Sequence, residues 1–174
     1  MKELLIVVDY QVDFVNGSLG FKGAELLEEG IVNKIREARK KKTEVCFTFD
    51  THYENYLETN EGKKLPIKHC LKGSEGFELY GKVKEQLKES DVVFYKETFG
   101  SLALANYLQK GQYTKIEIVG LVTNICILSN AILAKSALPE AEIIVIKSLV
   151  GTFDKKLEEE TFDLLKSVHI EISE

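Results

Sequence analysis

The chain has 174 residues, a length suited to one domain, and its 44% hydrophobic and 29% charged residues support a full core. A net charge of −5 without a basic stripe excludes a non-specific nucleic-acid binder; the Arg39–Lys42 run reads as a solvated helix end, where positive charge suits the dipole. Three cysteines, Cys46, Cys70 and Cys126, cannot all pair and show no repeating spacing, which argues against a secreted disulfide framework. The acidic start MKELLIVVDYQVDF is too short for a signal peptide, and no apolar run nears the roughly 20 residues a bilayer requires, so a cytoplasmic protein away from membranes is expected.

In chain order, five short aliphatic runs read as buried parallel strands: Leu4–Asp9, Val45–Asp50, Val92–Tyr95, Ile116–Leu121 and Ile143–Val150. A sixth, His169–Ile172, closes one edge. Helical patterns lie between them. Leu27, Ile31, Ile35 and Ala38 share one face; Leu102, Ala105 and Leu108 mark a second helix. Ile125, Leu128, Ala131, Ile132 and Lys135 mark a third, and Leu157, Phe162, Leu164 and Leu165 the last. This alternation predicts a single doubly wound α/β domain over 1–174, a Rossmann-like three-layer sandwich with its mostly parallel sheet in the order 3-2-1-4-5-6 and right-handed crossovers. The longest break in the pattern, Thr51–Phe77, is long enough to suggest a functional loop.

In an open α/β sheet, ligands bind beyond the carboxyl ends of the strands. Asp9 ends the first strand, Asp50 the second with His52 just after it, and Lys96 the third. The fourth is followed by Thr123, Asn124 and Cys126 at a helix start. Each has a bland reading: a buried small thiol, a loop-capping acid, a solvated lysine. Together on one rim they form a constellation. A cysteine at a helix N-terminus is expected to have a lowered pKa, which favours the nucleophilic thiolate. Asp9 beside it can act as general base and Lys96 can stabilise the pair. Cys46 sits inside a strand and reads as core; Cys70 follows His69 without a clear role.

Asp50, His52 and His69 gather in and before the long loop, with Glu54, Glu58 and Glu61 among them. Mixed carboxylate and imidazole donors suit Zn, Fe or Mn better than Ca or Mg, although loop histidines are commonly just solvated. His169, distant in sequence, reads as structural.

From about Lys2 to about Val150 the chain resembles the isochorismatase-like cysteine hydrolases, and among them the nicotinamidases. The resemblance rests on VVDYQVDF, FTFDTHYENY, LPIKHCLKGSEG, FYKETFGS and VGLVTNICILSNA, in that order and at the strand ends. It implies a nicotinamide amidohydrolase of pyridine-nucleotide salvage, with Asp9 as base, Lys96 as the cationic member and Cys126 as nucleophile. It implies a divalent metal, zinc before Fe or Mn, on Asp50, His52 and His69. Glu61 matches the spacing of a fourth ligand, with Glu58 as the alternative. It also implies a cis peptide at Leu121–Val122, an oxyanion hole of the Val122 and Cys126 N–H groups, and a substrate ring packed against Phe14 and Phe99. An aromatic residue common just before the loop histidine is replaced here by Leu65, Pro66, Ile67 and Lys68.

The mechanism so implied is amide cleavage through a thioester, with the metal meeting the pyridine nitrogen directly or through water, and with the triad separate from the metal. The partner is a small amide, and a homo-oligomer stays open. Two alternatives compete: a metal-free family member acting on a carbamoyl or other small amide, and a non-catalytic α/β binding module. Isochorismatases lack the cysteine nucleophile, so Cys126 argues against that reaction.

Overall fold

The computed structural model describes residues 2–174. Six strands form one all-parallel sheet: β1 (Glu3–Val8), β2 (Glu44–Asp50), β3 (Val92–Lys96), β4 (Lys115–Leu121), β5 (Glu142–Gly151) and β6 (Glu171–Ser173). Their order is β3-β2-β1-β4-β5-β6, as the alternation predicted. Successive side chains of a strand point to opposite faces, and β1 shows the consequence. Leu4, Ile6 and Val8 enter one core with Leu104, Leu108, Ala131, Phe162 and Leu165. Leu5 and Val7 enter the other with Ile31, Val32, Ile35 and Ala38.

The helices are α1 (Val12–Val15), α2 (Glu28–Lys40), α3 (Asn60–Lys64), α4 (Gly81–Lys84), α5 (Leu102–Gly111), α6 (Leu128–Ala137) and α7 (Lys155–Ser167). α2 buries Ile31, Ile35 and Ala38 as expected, joined by Val32, while Leu27 lies half-buried in the turn before it. Of the other long helices, α5 and α7 are rotated from the expected faces, whereas the expected Leu128, Ala131 and Ile132 of α6 do pack on the core. Ser101 caps α5 by accepting from the Leu104 N–H at 3.1 Å, which leaves Leu102 in the first turn, 72% exposed, while Leu104 and Leu108 turn inward. In α7, Leu157 and Leu164 lie outside, and Glu158, Thr161, Phe162 and Leu165 form the buried stripe. In α6 the buried stripe runs through Asn130, Ala131 and Ala134. Side-chain polarity misled the reading at these places, because Glu158 and Asn130 are buried with partners.

β1 and β4 lie side by side and the chain departs from them to opposite edges, so a crevice opens beyond their carboxyl ends. Gly120 permits the close approach there. Its φ is +117°, and a Cβ would stand 2.0 Å from the Val8 carbonyl oxygen. The following Leu121–Val122 peptide is cis. Among the described residues no helix is long and apolar enough to cross a membrane.

Candidate active site

At the end of β1 the chain turns through Asp9, whose φ of +43° is a left-handed conformation that Asp adopts more readily than most residues. The Asp9 carboxylate is wholly buried. Its Oδ1 accepts from the Thr48 hydroxyl at 2.6 Å, and its Oδ2 lies 2.6 Å from Lys96 Nζ, an ionic contact off the hydrogen-bonding angle. Lys96, at the end of β3, reaches across β2. Its Nζ donates to the Thr98 carbonyl at 3.1 Å and stands 3.4 Å from Asp50 Oδ1 and 3.6 Å from Cys126 Sγ. Asp9, Lys96 and Cys126 are therefore brought together, as the rim argument expected.

Cys126 lies in a π-helical turn, Thr123–Ile127, that leads into α6, rather than in a regular first helical turn. The expectation of a lowered thiol pKa is corrected. Burial is the largest influence and pushes the Cys126 thiol well up; Lys96 pulls it down, while the negative charges of Asp9 and Asp50 raise it. Burial likewise lifts the Asp9 carboxyl above the ordinary carboxylate range, against the opposing pull of Lys96. Burial works against the Lys96 ammonium, but Asp9, Cys126 and Asp50 outweigh it and keep the charge in place.

Asp50, His52 and His69 are buried at the end of β2 and in the loop, with one donor atom each, all within 4.8 Å of one another. Asp50 Oδ2 is 3.0 Å from His52 Nε2 and 3.2 Å from His69 Nε2. His69 Nδ1 meets the Ile67 carbonyl at 2.8 Å, which turns Nε2 inward. Glu61 Oε1 lies 3.8 and 3.6 Å from the two Nε2 atoms, whereas Glu58 is exposed. Donors bound to one metal at about 2.0–2.2 Å stand roughly 3 Å apart, so this group fits a divalent cation. Burial and the charge of Asp50 raise the Glu61 carboxyl, a crowding that a dication would relieve. Burial opposes ionisation of Asp50, but hydrogen bonds from His52 and His69 and the charge of Lys96 hold it well below the carboxylate range.

The expected separation of triad and metal group is also corrected. Asp50 joins them, with Oδ2 toward the histidines and Oδ1 toward Lys96. Sequence reading missed the residues that fix these groups. Gln11, wholly buried, accepts from the Asp50 N–H at 2.8 Å and donates to the carbonyls of Asp50 and Phe77 at 2.9 and 2.8 Å. Thr48 and Asn130 were missed too; a polar residue inside an apolar run was the available signal.

A narrow cavity of about 50 Å³ joins the two groups. Asp50, Glu61, His69, Val122 and Cys126 line it, with Phe14, Leu19, Leu65, Phe99 and Ile125 as apolar walls. Phe14 packs against His69 with ring centroids 5.6 Å apart. Phe99 is 43% exposed. A larger hollow of about 520 Å³ lies beside Arg39, Lys88 and Asp91 at the starts of β2 and β3, away from these reactive groups.

The isochorismatase domain model matches residues 3–173. An uncharacterized isochorismatase family protein, PncA, of Bacillus subtilis is 32% identical over 168 residues, 90% of each chain. The solved structure of a nicotinamidase/pyrazinamidase from B. subtilis superposes with a TM-score of 0.87 at 26% identity, covering both chains fully. That of a Pyrococcus horikoshii pyrazinamidase in complex with zinc gives 0.87 at 25% identity, covering 100% of this chain and 99% of the other. With a domain match spanning nearly every residue and a relative above 30% identity, this chain belongs to the isochorismatase family.

Proposed function

We propose that this protein is a one-domain amidohydrolase that converts nicotinamide to nicotinate and ammonia through a thioester on Cys126. The observation that carries the reading is the buried chain of contacts from Asp9 through Lys96 to Cys126, 2.6 and 3.6 Å long, opening on an apolar slot beside a metal-ligand group. A carboxylate whose pKa is raised by burial is a better proton acceptor, and a thiol kept protonated at rest needs one. Asp9 takes the thiol proton, the sulfur attacks the amide carbon, and the carbonyl oxygen gains the charge. The Val122 and Cys126 N–H groups hold that oxyanion, the kind of electrostatic term that commonly weighs most in acyl transfer. As the C–N bond breaks, Asp9 returns the proton to the leaving nitrogen and ammonia departs. Water then gives a proton to Asp9 and attacks the thioester, releasing nicotinate and restoring the thiol. Lys96 stays an ammonium throughout and offsets the charge on Asp9 and sulfur.

Asp50, His52, His69 and Glu61 would hold a divalent ion, zinc first by donor chemistry, then Fe or Mn. When bound, the ion supplies a Lewis-acid contact for a ring nitrogen or for water. Phe14 and Phe99 flank the ring. The slot is far smaller than the roughly 300 Å³ of typical ligand pockets, so its walls would have to part for a ring to enter. The names of the solved relatives support this substrate class. Ammonia release from nicotinamide, pyrazinamide and a carbamoyl amide, with and without added zinc, tests the reading. Turnover of the two aromatic amides is expected; turnover of the carbamoyl compound alone would replace it.

A further inference from the structure

Asn130 lies one helical turn beyond Cys126, on the α6 stripe otherwise made of Ala131 and Ala134, and is wholly buried. A buried carboxamide requires partners, and Asn130 finds them on two separate segments. Its Nδ2 donates to the Cys126 carbonyl at 2.8 Å and to the Phe99 carbonyl at 3.1 Å, while its Oδ1 accepts from the Ser101 N–H at 3.0 Å. The partners leave one orientation of the amide, since a carbonyl only accepts and an N–H only donates. One side chain thus ties the turn bearing Cys126 to the loop bearing Phe99. That loop is held at a second point, where the Thr98 carbonyl accepts from Lys96.

The geometry points to Asn130 as a positioning residue for the amide hydrolysis proposed above: it sets the separation of the nucleophile turn from the Phe99 wall across the mouth of the slot. This rests on the roles given to Cys126 and Phe99. Asn130 acts through two backbone carbonyls and one N–H, and it is absent from the residues that line the slot. Its bond to Cys126 steadies the peptide units around the nucleophile, where displacements of about 1 Å are costly. Its two bonds to Phe99 and Ser101 steady the ring wall, which governs binding.

Two variants separate these halves. In Asn130→Thr the hydroxyl can still donate to the carbonyl four residues back, that of Cys126, but it cannot also serve Phe99 and Ser101. KM for nicotinamide should rise about tenfold with kcat within about threefold, the loss expected for buried partners left unpaired. Asn130→Ala should raise KM similarly, lower kcat about tenfold, and slow iodoacetamide alkylation of Cys126. In a Phe99→Ala background the KM effect of Asn130→Thr should largely vanish, because both changes act on one wall.

A lowered melting temperature with kcat, KM and alkylation rate unchanged in both variants would make Asn130 merely structural and overturn the proposal. So would KM effects that simply multiply in the double variant. Should Asn130→Ala fail to fold, the KM shift of Asn130→Thr and its double variant decide the matter. Should the wild type not hydrolyse nicotinamide, the substrate reading fails, and the alkylation rate of Asn130→Ala against wild type still decides: equal rates overturn the proposal.

Discussion

Two carboxylates within reach of Lys96 are pushed in opposite directions, and acid separates them. Asp9 is raised by burial, so its native pKa lies above the unfolded value near 3.8; Asp50 is depressed by its histidines and Lys96. As pH falls through the raised Asp9 value, the proposed base protonates and turnover should be lost. Stability is not lost there, because protonating a buried, raised carboxyl favours the native state. The stability that Asp50 contributes is present above 3.8 and fades only as pH falls below it. The acid limb of kcat/KM should therefore lie above 3.8, where protonation of Asp9 itself takes nothing from stability. A limb at or below 3.8 would remove Asp9 from the base role. The other cysteines offer a contrast at the same scale. Burial pushes the Cys46 and Cys70 thiols up, and at Cys70 the pull of Lys96 is the smallest influence, whereas Cys126 has Lys96 3.6 Å away and opens on the slot. Iodoacetamide should modify one thiol per native chain, Cys126, as read by peptide mass. Cys46→Ala should leave kcat unchanged and cost about 1 kcal/mol through core packing; labelling of Cys70 before Cys126 would contradict this ordering.

Short elements set the geometry that those residues need. α3 carries Glu61, and its Gly62 faces the backbone so closely that a Cβ would stand 2.0 Å from the Tyr56 carbonyl oxygen. Gly62→Ala should push α3 outward with Glu61 on it and weaken zinc affinity by about tenfold or more, the usual size of effects on groups that hold ligands in place. Zinc titration with a competing chelator measures it, and unchanged affinity would take α3 out of the metal group. Glu61→Ala should weaken binding at least as much. The long helices show where sequence periodicity falls short. The α2 stripe was legible because it is purely aliphatic. On α5 and α7 the eye joins Leu102, Leu157 and Leu164 to the apolar set, yet all three face solvent. The buried stripes there need the Ser101 cap and the buried Glu158, which accepts from the Thr123 hydroxyl at 2.9 Å, contacts that only tertiary structure reveals.

At the scale of the molecule, strand order makes the site. Asp9, Asp50, Lys96 and the turn after β4 meet because β1 stands between β2 and β4, and aliphatic strands separated by helices made that order legible. The rim residues were legible too, since charged or reactive groups ended four apolar runs. Asn130 stood out only as a polar residue in an apolar run; its role and that of Gln11 were hidden, because they depend on backbone groups far away in sequence. The electrostatic state of Cys126 was misjudged for a related reason: burial, which sequence does not display, outweighs the pull of Lys96. In the proposed reaction the whole arrangement serves one event, attack by the Cys126 sulfur. The most direct test is ammonia and nicotinate release from nicotinamide by zinc-loaded wild type and Cys126→Ala, both confirmed folded by melting. Turnover by wild type and a fall of roughly 10⁴-fold or more in the variant are predicted, as for loss of a covalent nucleophile; near-wild-type turnover by Cys126→Ala would contradict the account.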